Sequence, residues 1–178
     1  MMEYVSILRG INVGGNKKVK MTELKSLYEV NGFQNIRMYI QSGNVAFSSH
    51  SENKMEIKNK IENFISSNYD FEVPVMVRTK EEIDFIYDNS PFVESLDEQN
   101  DTKILISFLS NTPKEKDIKN LMTYVKEPES LVVMNDFVYL HAPNGYGKSK
   151  LSNNFLESKL KVLATTRNYK TLKALREL

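Results

Sequence analysis

The chain of 178 residues carries 24 basic and 23 acidic side chains and has no cysteine. This balance excludes an overall field that recruits nucleic acid or acidic membranes, and the missing thiols exclude disulfides, thiolate nucleophiles and thiolate metal sites. A hydrophobic fraction of 40% and a charged fraction of 26% are typical of a globular protein with its own core. No apolar run approaches about 20 residues and no signal-like segment is visible, so we expect a cytoplasmic protein that does not bind membranes.

The first half of the chain predicts the element order β-α-β-β-α-β followed by an added helix. Strands are predicted over residues 4–8, 36–40, 45–47 and 73–77, and Pro74 favours an edge position or a strand start. The first helix is predicted to open at Thr22 and to close at Gly32. The second helix carries the apolar stripe Ile57, Ile61, Phe64 and Ile65. Thr79 and Glu82 predict a capping box on the added helix.

The second half repeats this order. Strands are predicted over residues 103–109, 131–134, 137–140 and 162–164, with a hairpin turn at 135–136. A capping box at residues 112–115, with Pro113 in the first helical position, predicts one helix, Leu151 to Leu160 mark the next, and Leu172 and Leu175 lie on the last. The sequence therefore predicts an α+β fold, a tandem duplication of a ferredoxin-like βαββαβ unit, each with an added C-terminal helix.

The predicted subdomains span residues 1–90 and 102–178. The segment between them, residues 91–101, is rich in Ser, Asp, Glu and Asn and predicts a solvated linker. Its carboxylates are Glu94, Asp97, Glu98 and Asp101.

Small polar residues gather in four clusters, at residues 8–18, 40–45, 143–150 and 164–168, each where a predicted strand ends. Glycines there bring backbone N–H groups within reach of a ligand, and Arg, Lys, Asn, Gln and Ser supply donors. The clusters therefore predict a site for an anionic or richly polar partner. The candidate ligand-binding residues are Arg9, Asn12, Gly14, Gly15, Gln41, Ser42, Asn44, Lys148, Ser149, Arg167 and Asn168.

Four of these motifs resemble the signature of a known family. They are LRGINVGG at residues 8–15, YIQSGNV at 39–45, KLSN at 150–153 and TTRN at 165–168. Together they are similar to the bacterial family catalogued as domain of unknown function 1697. The resemblance implies a cytoplasmic α+β protein of two related subdomains, and it implies no reaction, substrate or catalytic residue.

The first two clusters favour different parts of a ligand. Arg9 offers five fixed donors suited to a carboxylate or phosphate, beside the glycines of the following connection. Gln41, Ser42 and Asn44 are neutral and suit the edge of a base or a sugar, with Gly43 exposing the backbone between them. The alternatives are a flexible loop in which Arg9 makes an ion pair, and a turn that Ser42 and Asn44 cap.

The third cluster, APNGYGKS at residues 142–149, matches a relaxed phosphate-loop pattern. The strict pattern has Gly where Ala142 stands, and the cluster follows a predicted hairpin strand instead of the first strand of a parallel sheet. We therefore set aside a nucleotide hydrolase of that type. Lys148 and Ser149 are instead expected at a helix N-terminus, where the dipole favours an anion, unless Ser149 only caps the helix.

The fourth cluster is expected at the start of the terminal helix. Arg167 and Asn168 are predicted there, as Arg78 is in the first half. If the two halves pack face to face, these arginines and the loops line one cleft. The alternative is a surface ion pair for each arginine.

Three functions remain open. The favoured one is binding of a phosphorylated or otherwise anionic, nucleotide-like small ligand through the strand-end loops. RNA binding is an alternative, with sheet aromatics as stacking platforms, and an enzyme acting on a phosphate-bearing substrate is another. The candidate platforms are Tyr4, Tyr39, Phe47, Phe137 and Tyr139. His50 and His141 lack metal-ligand spacing, so we expect no metal. We also expect no cofactor, and the oligomeric state stays open.

Overall fold

The computed structural model describes residues 1–97 and 100–178. They form two compact units, one of Met1–Phe85 with Ala174–Leu178 and the other of Ile86–Lys173. The subdomain boundaries predicted at residues 90 and 102 stay a prediction, and Glu98 of the predicted linker lies outside the described residues. No helix in the described ranges is long and apolar enough to cross a membrane.

The first unit is built on a four-stranded sheet. Its strands are β1 (Met2–Leu8), β2 (Gln34–Tyr39), β3 (Asn44–Ser49) and β4 (Val75–Thr79). They lie in the order β2-β3-β1-β4, and every neighbouring pair is antiparallel. Helices α1 (Met21–Val30) and α2 (Lys54–Asn68) belong to this unit, and α3 (Lys80–Asp88) follows β4 directly. Strand β4 is an edge strand, which confirms the edge position that Pro74 favours, but it covers Val75–Thr79 and not the predicted residues 73–77.

The core of the first unit lies between the sheet and the helices α1 and α2. Leu24 and Tyr28 of α1 are fully buried there against residues of β1, β3 and β4. The predicted stripe of α2 is confirmed, because all four of its apolar residues are buried. The Tyr28 hydroxyl is hydrogen-bonded to Ser6 Oγ at 2.7 Å, so this buried phenol has a polar partner inside the core. Burial raises the pKa of Tyr28 far above its usual value.

The second unit contains a sheet of the same strand order. Its strands are β5 (Ile104–Leu109), β6 (Ser130–Met134), β7 (Phe137–His141) and β8 (Ala164–Asn168), in the order β6-β7-β5-β8. Its helices are α4 (Glu115–Met122) and α5 (Asn153–Leu160), and α6 (Tyr169–Glu177) follows β8. The described residues thus form an α+β fold with two four-stranded antiparallel sheets and six α-helices.

Hydrogen bonds at the ends of the central strands recur in both units. The N–H of Leu8 donates to the Gly43 carbonyl and that of Leu109 to the Asp136 carbonyl, both at 2.8 Å. In each unit, the N–H of the next residue in the chain donates to the carbonyl of the residue that precedes the fourth strand, at 2.9 Å in both cases. The connections that follow differ, since residues 9–20 link β1 to α1 and only residues 110–114 link β5 to α4. The first unit therefore has the longer and more polar connection at this point of the fold.

Of the two predicted capping boxes, the structure confirms one and contradicts the other. At α3, the Thr79 N–H donates to Glu82 Oε2 at 2.7 Å and the Glu82 N–H donates to Thr79 Oγ1 at 3.2 Å, which confirms the capping box. The same pattern at residues 112–115 does not cap α4. That helix begins at Glu115 after an extended Lys114, whose carbonyl accepts the first intrahelical bonds, so Pro113 lies outside it.

The predicted bounds of β8 are also wrong. The strand runs over Ala164–Asn168, after the predicted segment of residues 162–164. It is an edge strand, and an edge strand needs a backbone partner on one side only, so its polar residues are compatible with pairing to β5.

Candidate functional site

The connection of residues 9–20, called here the 9–20 loop, folds into a small hairpin. The Asn12 N–H donates to the Lys17 carbonyl at 3.1 Å and the Asn16 N–H donates to the Val13 carbonyl at 3.0 Å. Gly14 and Gly15 form the tip with φ of 58° and 79°. A tight turn with positive φ at both central positions strongly favours glycine, so these two residues have a structural reason to be there.

The Asn12 side chain connects this loop to the β2–β3 hairpin by hydrogen bonds. Its Nδ2 donates to the Val19 carbonyl at 2.9 Å and to the Gln41 carbonyl at 2.8 Å. Its Oδ1 accepts from the Val19 N–H at 2.9 Å. Both amide hydrogens are therefore used within the fold, and Asn12 positions the loop and Gln41 relative to each other.

A groove of about 690 Å³ lies beside this junction. It brings together three of the predicted ligand-binding residues, Asn12, Gly15 and Gln41. The other lining residues are Lys18, Val19, Lys20, Met21, Thr22 and Glu23, from the end of the loop and the first turn of α1. Sequence reasoning missed them as ligand-binding candidates, although Lys17 and Lys18 at the end of the first polar cluster, with Lys20 just after it, were a local signal of positive charge.

The charges of the groove are two lysines and one glutamate. Lys20 Nζ lies 3.1 Å from Glu23 Oε1, and the Tyr69 hydroxyl donates to Glu23 Oε2 at 3.4 Å. Lys18 makes no ion pair within residues 1–97 and 100–178. Helix α1 starts after Lys20 without a side-chain cap, so the dipole of its first turn adds positive potential to that of the lysines.

Asn44 and Ser42 serve the hairpin turn. Asn44 is fully buried, and its Nδ2 donates to the Tyr39 carbonyl at 3.1 Å and to Ser42 Oγ at 2.9 Å. This is the turn-capping alternative that the sequence left open. Neither residue lines the groove, and neither does the half-buried Arg9 or the loop tip at Gly14.

Gly43 does not expose its backbone, contrary to the prediction. It is buried with a φ of 76°. A Cβ built on it would lie 2.7 Å from Ile11 Cδ1 and 2.8 Å from Leu8 Cβ. Its carbonyl accepts from the Leu8 N–H, so this glycine lets the β2–β3 hairpin approach the end of β1 closely.

Lys148 and Ser149 do not lie at a helix N-terminus, so that prediction is wrong. Residues 146–148 form a 3₁₀ turn after Gly145, whose φ is 93°, and α5 begins only at Asn153. The N–H groups of Lys148 and Ser149 bond the carbonyls of Gly145 and Tyr146, so they do not cradle an anion. Ser152 caps α5 in the role considered for Ser149. Ser149 Oγ accepts from the Leu151 N–H at 3.0 Å.

Arg167 and Asn168 are the last two residues of β8, and α6 begins directly after them at Tyr169, so they lie beside the start of the terminal helix, as predicted, but belong to the strand. Arg167 is opposite Ile106, and its Nη1 donates to Thr165 Oγ1 at 3.0 Å and to the Thr166 carbonyl at 2.9 Å. Burial lowers the pKa of Arg167 to about 10, which leaves the guanidinium charged at neutral pH. Asn168 Oδ1 accepts from the Thr171 N–H at 2.9 Å and so caps α6.

Arg78 occupies the equivalent position of the first unit. It lies in β4 opposite Val5, and its Nη1 donates to the Val77 carbonyl at 2.9 Å. Arg167 makes the same bond to the carbonyl of the residue before it. Both arginines are thus strand residues whose guanidinium groups bond their own strand.

The aromatic residues considered for RNA stacking are mostly inside the protein. Tyr4, Phe47, Phe137 and Tyr139 are at most 4% exposed, and Tyr39 is half-buried. The Tyr139 hydroxyl donates to the Ile86 carbonyl at 2.8 Å. Four of the five rings are therefore closed to a base in this conformation, and Tyr39 is the candidate platform that remains partly exposed.

The two histidines lie in different surroundings. His50 is exposed, and His141 lies against the ring of Phe92 with 5.5 Å between centroids. Within the described part of the chain, no three His, Asp or Glu side chains are grouped so that they could hold a metal ion.

The fold and the site together define an α+β protein of two antiparallel sheets with a polar groove beside one of them. The chain belongs to the DUF1697 family of proteins of unknown function, whose model matches residues 1–139. This match contains the motifs at 8–15 and 39–45, while those at 150–153 and 165–168 lie beyond it.

The chain is similar over nearly its whole length to a solved structure. The conserved bacterial protein SP0830 from Streptococcus pneumoniae has 23% sequence identity and a TM-score of 0.78, and the alignment covers 99% of this chain and 97% of that chain. This likeness concerns the fold. No curated protein matches the sequence.

Proposed function

We propose that the chain binds a phosphorylated or otherwise anionic, nucleotide-like small ligand in the groove between the 9–20 loop and the start of α1. The observation that carries this proposal is the assembly of Gly15, Lys18, Lys20 and Gln41 around one cavity of about 690 Å³. Small-molecule sites typically have volumes of about 300–1,000 Å³. The groove is therefore large enough for a nucleoside monophosphate.

Positive charge at one side of the groove supports the anionic part of the ligand. Lys18 has no carboxylate partner among the described residues, so an anion does not have to displace an existing ion pair there. Lys20 is paired with Glu23, but its side chain is 80% exposed, and exposed pairs contribute only about 0–1 kcal/mol. Lys20 can therefore turn to a phosphate at little free-energy cost.

Neutral and acidic groups in the same groove support a ligand that also carries hydrogen-bond donors. Gln41 offers both an amide donor and an acceptor, and the Thr22 hydroxyl does the same. Glu23 accepts only. A bare phosphate would leave these acceptors unused, whereas the hydroxyl groups of a phosphorylated sugar would pair with them.

The architecture supports placing the function in this loop. We infer that the chain is a tandem duplication of a ferredoxin-like unit, because the strand order, the antiparallel pairing and the hydrogen bonds at the central strand ends recur. The 9–20 loop has no counterpart of similar length in the second unit. An addition to one copy of a repeated scaffold is where a binding function is expected. We keep the cytoplasm as the proposed location.

A thermal-shift series tests this function. The probes are inorganic phosphate, a sugar monophosphate and nucleoside monophosphates with and without magnesium. A ligand at a hundred times its Kd adds about 2.7 kcal/mol, which raises the unfolding midpoint by about 5–10 °C for a chain of this size.

Two charge-matched variants locate the response. Lys18→Ala is expected to weaken it at least tenfold in Kd. Lys25→Ala removes the same charge from α1 at a residue paired with Glu29, outside the groove, and is expected to leave the Kd unchanged. A response that both variants reduce equally, or no response to any phosphate, contradicts the proposal. Phosphate release with magnesium would favour the enzyme alternative, and a salt-sensitive shift with a short RNA alone would favour RNA binding.

A further inference from the structure

Strand β6 is an open edge of the second sheet. It covers Ser130–Met134, and among the described residues it pairs only with β7. Its register with β7 is continuous through all five residues. It contains no charged residue and no proline, and Val132, Val133 and Met134 are only half-buried.

The hydrogen-bond pattern shows which backbone groups of β6 point outward. On the side of β7 that faces β5, the Ala142 N–H donates to the Lys103 carbonyl and the Leu109 N–H donates to the Asp136 carbonyl, both at 2.8 Å. Along an antiparallel ladder, hydrogen-bonded pairs of residues alternate with non-hydrogen-bonded pairs. The backbone N–H and C=O groups of Val138 and Leu140 therefore point towards β5, and those of the other residues of β7 point towards β6. Within β6, Leu131 and Val133 then direct N–H and C=O away from the sheet, and no described residue bonds them.

The equivalent edge of the first unit is protected. Strand β2 holds the same place in its sheet, but its register with β3 shifts between Gln34 and Arg37, and Asn35 there has a φ of 51°. Arg37 also pairs with Glu3 at 3.0 Å. A bulge and a charge are two ordinary ways in which proteins prevent unwanted pairing at an edge strand. Strand β6 has neither.

We propose that β6 is a self-association edge, at which two copies of the chain pair their β6 strands antiparallel about a two-fold axis through Val132. An antiparallel pair of identical strands is self-complementary and closed, as a two-fold interface must be. Bonding between the outward groups of Leu131 in one copy and Val133 in the other sets this register. It joins two four-stranded sheets into one of eight strands.

The side chains fit this register. Leu131 of each copy lies opposite Val133 of the other copy, and the two Val132 side chains lie opposite each other at the axis. Beyond the strand, Glu129 comes opposite Asn135, an amide that donates to a carboxylate, so no like charges are directly opposed. An acidic or basic partner would find no opposite charge within the strand itself. The paired edge is short, so the dimer is reversible and depends on concentration.

A single cysteine tests the axis, because the chain has none of its own. In the proposed register, Val132→Cys puts two cysteine Cα atoms about 4.5 Å apart, at the short end of the disulfide range of about 4.4–6.8 Å. Mild oxidation of the purified variant is expected to give a covalent dimer. Met134→Cys is the matched control on the same strand face, since its two copies are about 13 Å apart and cannot bridge.

Amide hydrogen exchange tests the same pairing in the unsubstituted chain. Exchange at Leu131 and Val133 is expected to slow about tenfold at a concentration where nine chains in ten are paired, and to recover on dilution. The Val132 amide, which bonds Tyr139 in either state, is the internal reference. Exchange that does not depend on concentration overturns the proposal, as does equal oxidation of the two cysteine variants or no covalent dimer from Val132→Cys.

Discussion

Replacing Gly43 by alanine tests the close contact on which the groove is built. Gly43 has a φ of 76°, and an added Cβ would lie 2.7 Å from Ile11 Cδ1 and 2.8 Å from Leu8 Cβ. Both contacts are shorter than a Cβ normally tolerates, and Leu8 Cβ is attached directly to the backbone of β1. The hairpin must therefore move away from Leu8 and Ile11, and the bond from Asn12 to the Gln41 carbonyl must lengthen.

Two terms contribute to the loss of stability in Gly43→Ala. Left-handed backbone costs about 1–2 kcal/mol for a residue with a Cβ. Forcing an extra carbon into a packed site costs about 1–3 kcal/mol more. The expected total is about 2–5 kcal/mol, from the sum of these terms. Gly32→Ala is the control, since Gly32 has a φ of 85° but no atom within 4 Å of its added Cβ, so only the first term applies.

Urea unfolding followed by circular dichroism measures both variants. Gly43→Ala is expected to lose more free energy of unfolding than Gly32→Ala by about the packing term of 1–3 kcal/mol. Equal losses in the two variants would refute the steric argument. The Gly43→Ala variant should also bind any ligand of the groove more weakly, whereas Gly32→Ala should not.

Three further predictions follow from particular hydrogen bonds and from burial. Asn12→Ala removes three side-chain hydrogen bonds and should cost about 2–3 kcal/mol in urea unfolding, whereas Asn16→Ala on the same loop should have almost no effect. Thr79→Ala removes a real cap and should cost about 1 kcal/mol, while Thr112→Ala, in the same sequence pattern, should cost almost nothing. Burial raises the pKa of Tyr139 to about 12, whereas an unfolded tyrosine ionises near 10. The buried neutral hydroxyl of Tyr139 therefore contributes to stability in full below pH 10, and this contribution is lost as the pH rises towards 12. In the Tyr139→Phe variant, the free energy of unfolding should therefore fall less steeply over that pH range. An unchanged slope would contradict this assignment.

The type of each element, helix or strand, was predictable because it depends on residues that are close to one another in the sequence. The stripe from Ile57 to Ile65 is enough to predict α2 and its buried face. Strand ends were less predictable. Strand β8 extends through polar residues to Asn168, because pairing with β5 determines where it ends, and no apolar alternation marks that pairing.

The candidate site was predictable in part. Gly15 and Gln41 were selected from composition, and they do line one groove. Glu23 was missed because nothing in the local sequence relates the start of α1 to the β2–β3 hairpin, whereas Lys18 was missed although it lies in the first polar cluster. Lys148 was placed at a helix start because the predicted helix was marked from Leu151 onward, but Lys148 lies in a 3₁₀ turn and α5 begins only at Asn153.

Local pattern alone was sufficient for the order of strands and helices, its repetition in the second half, and the unusual concentration of glycine and amide side chains in the first connection. Which of those polar groups remain open to a ligand depends on contacts between distant segments. Asn12 bonds the carbonyl of Gln41 across 29 residues, and Gly43 packs against Ile11. A polar side chain has a limited number of hydrogen bonds, and only the folded chain shows whether its own backbone has already used them.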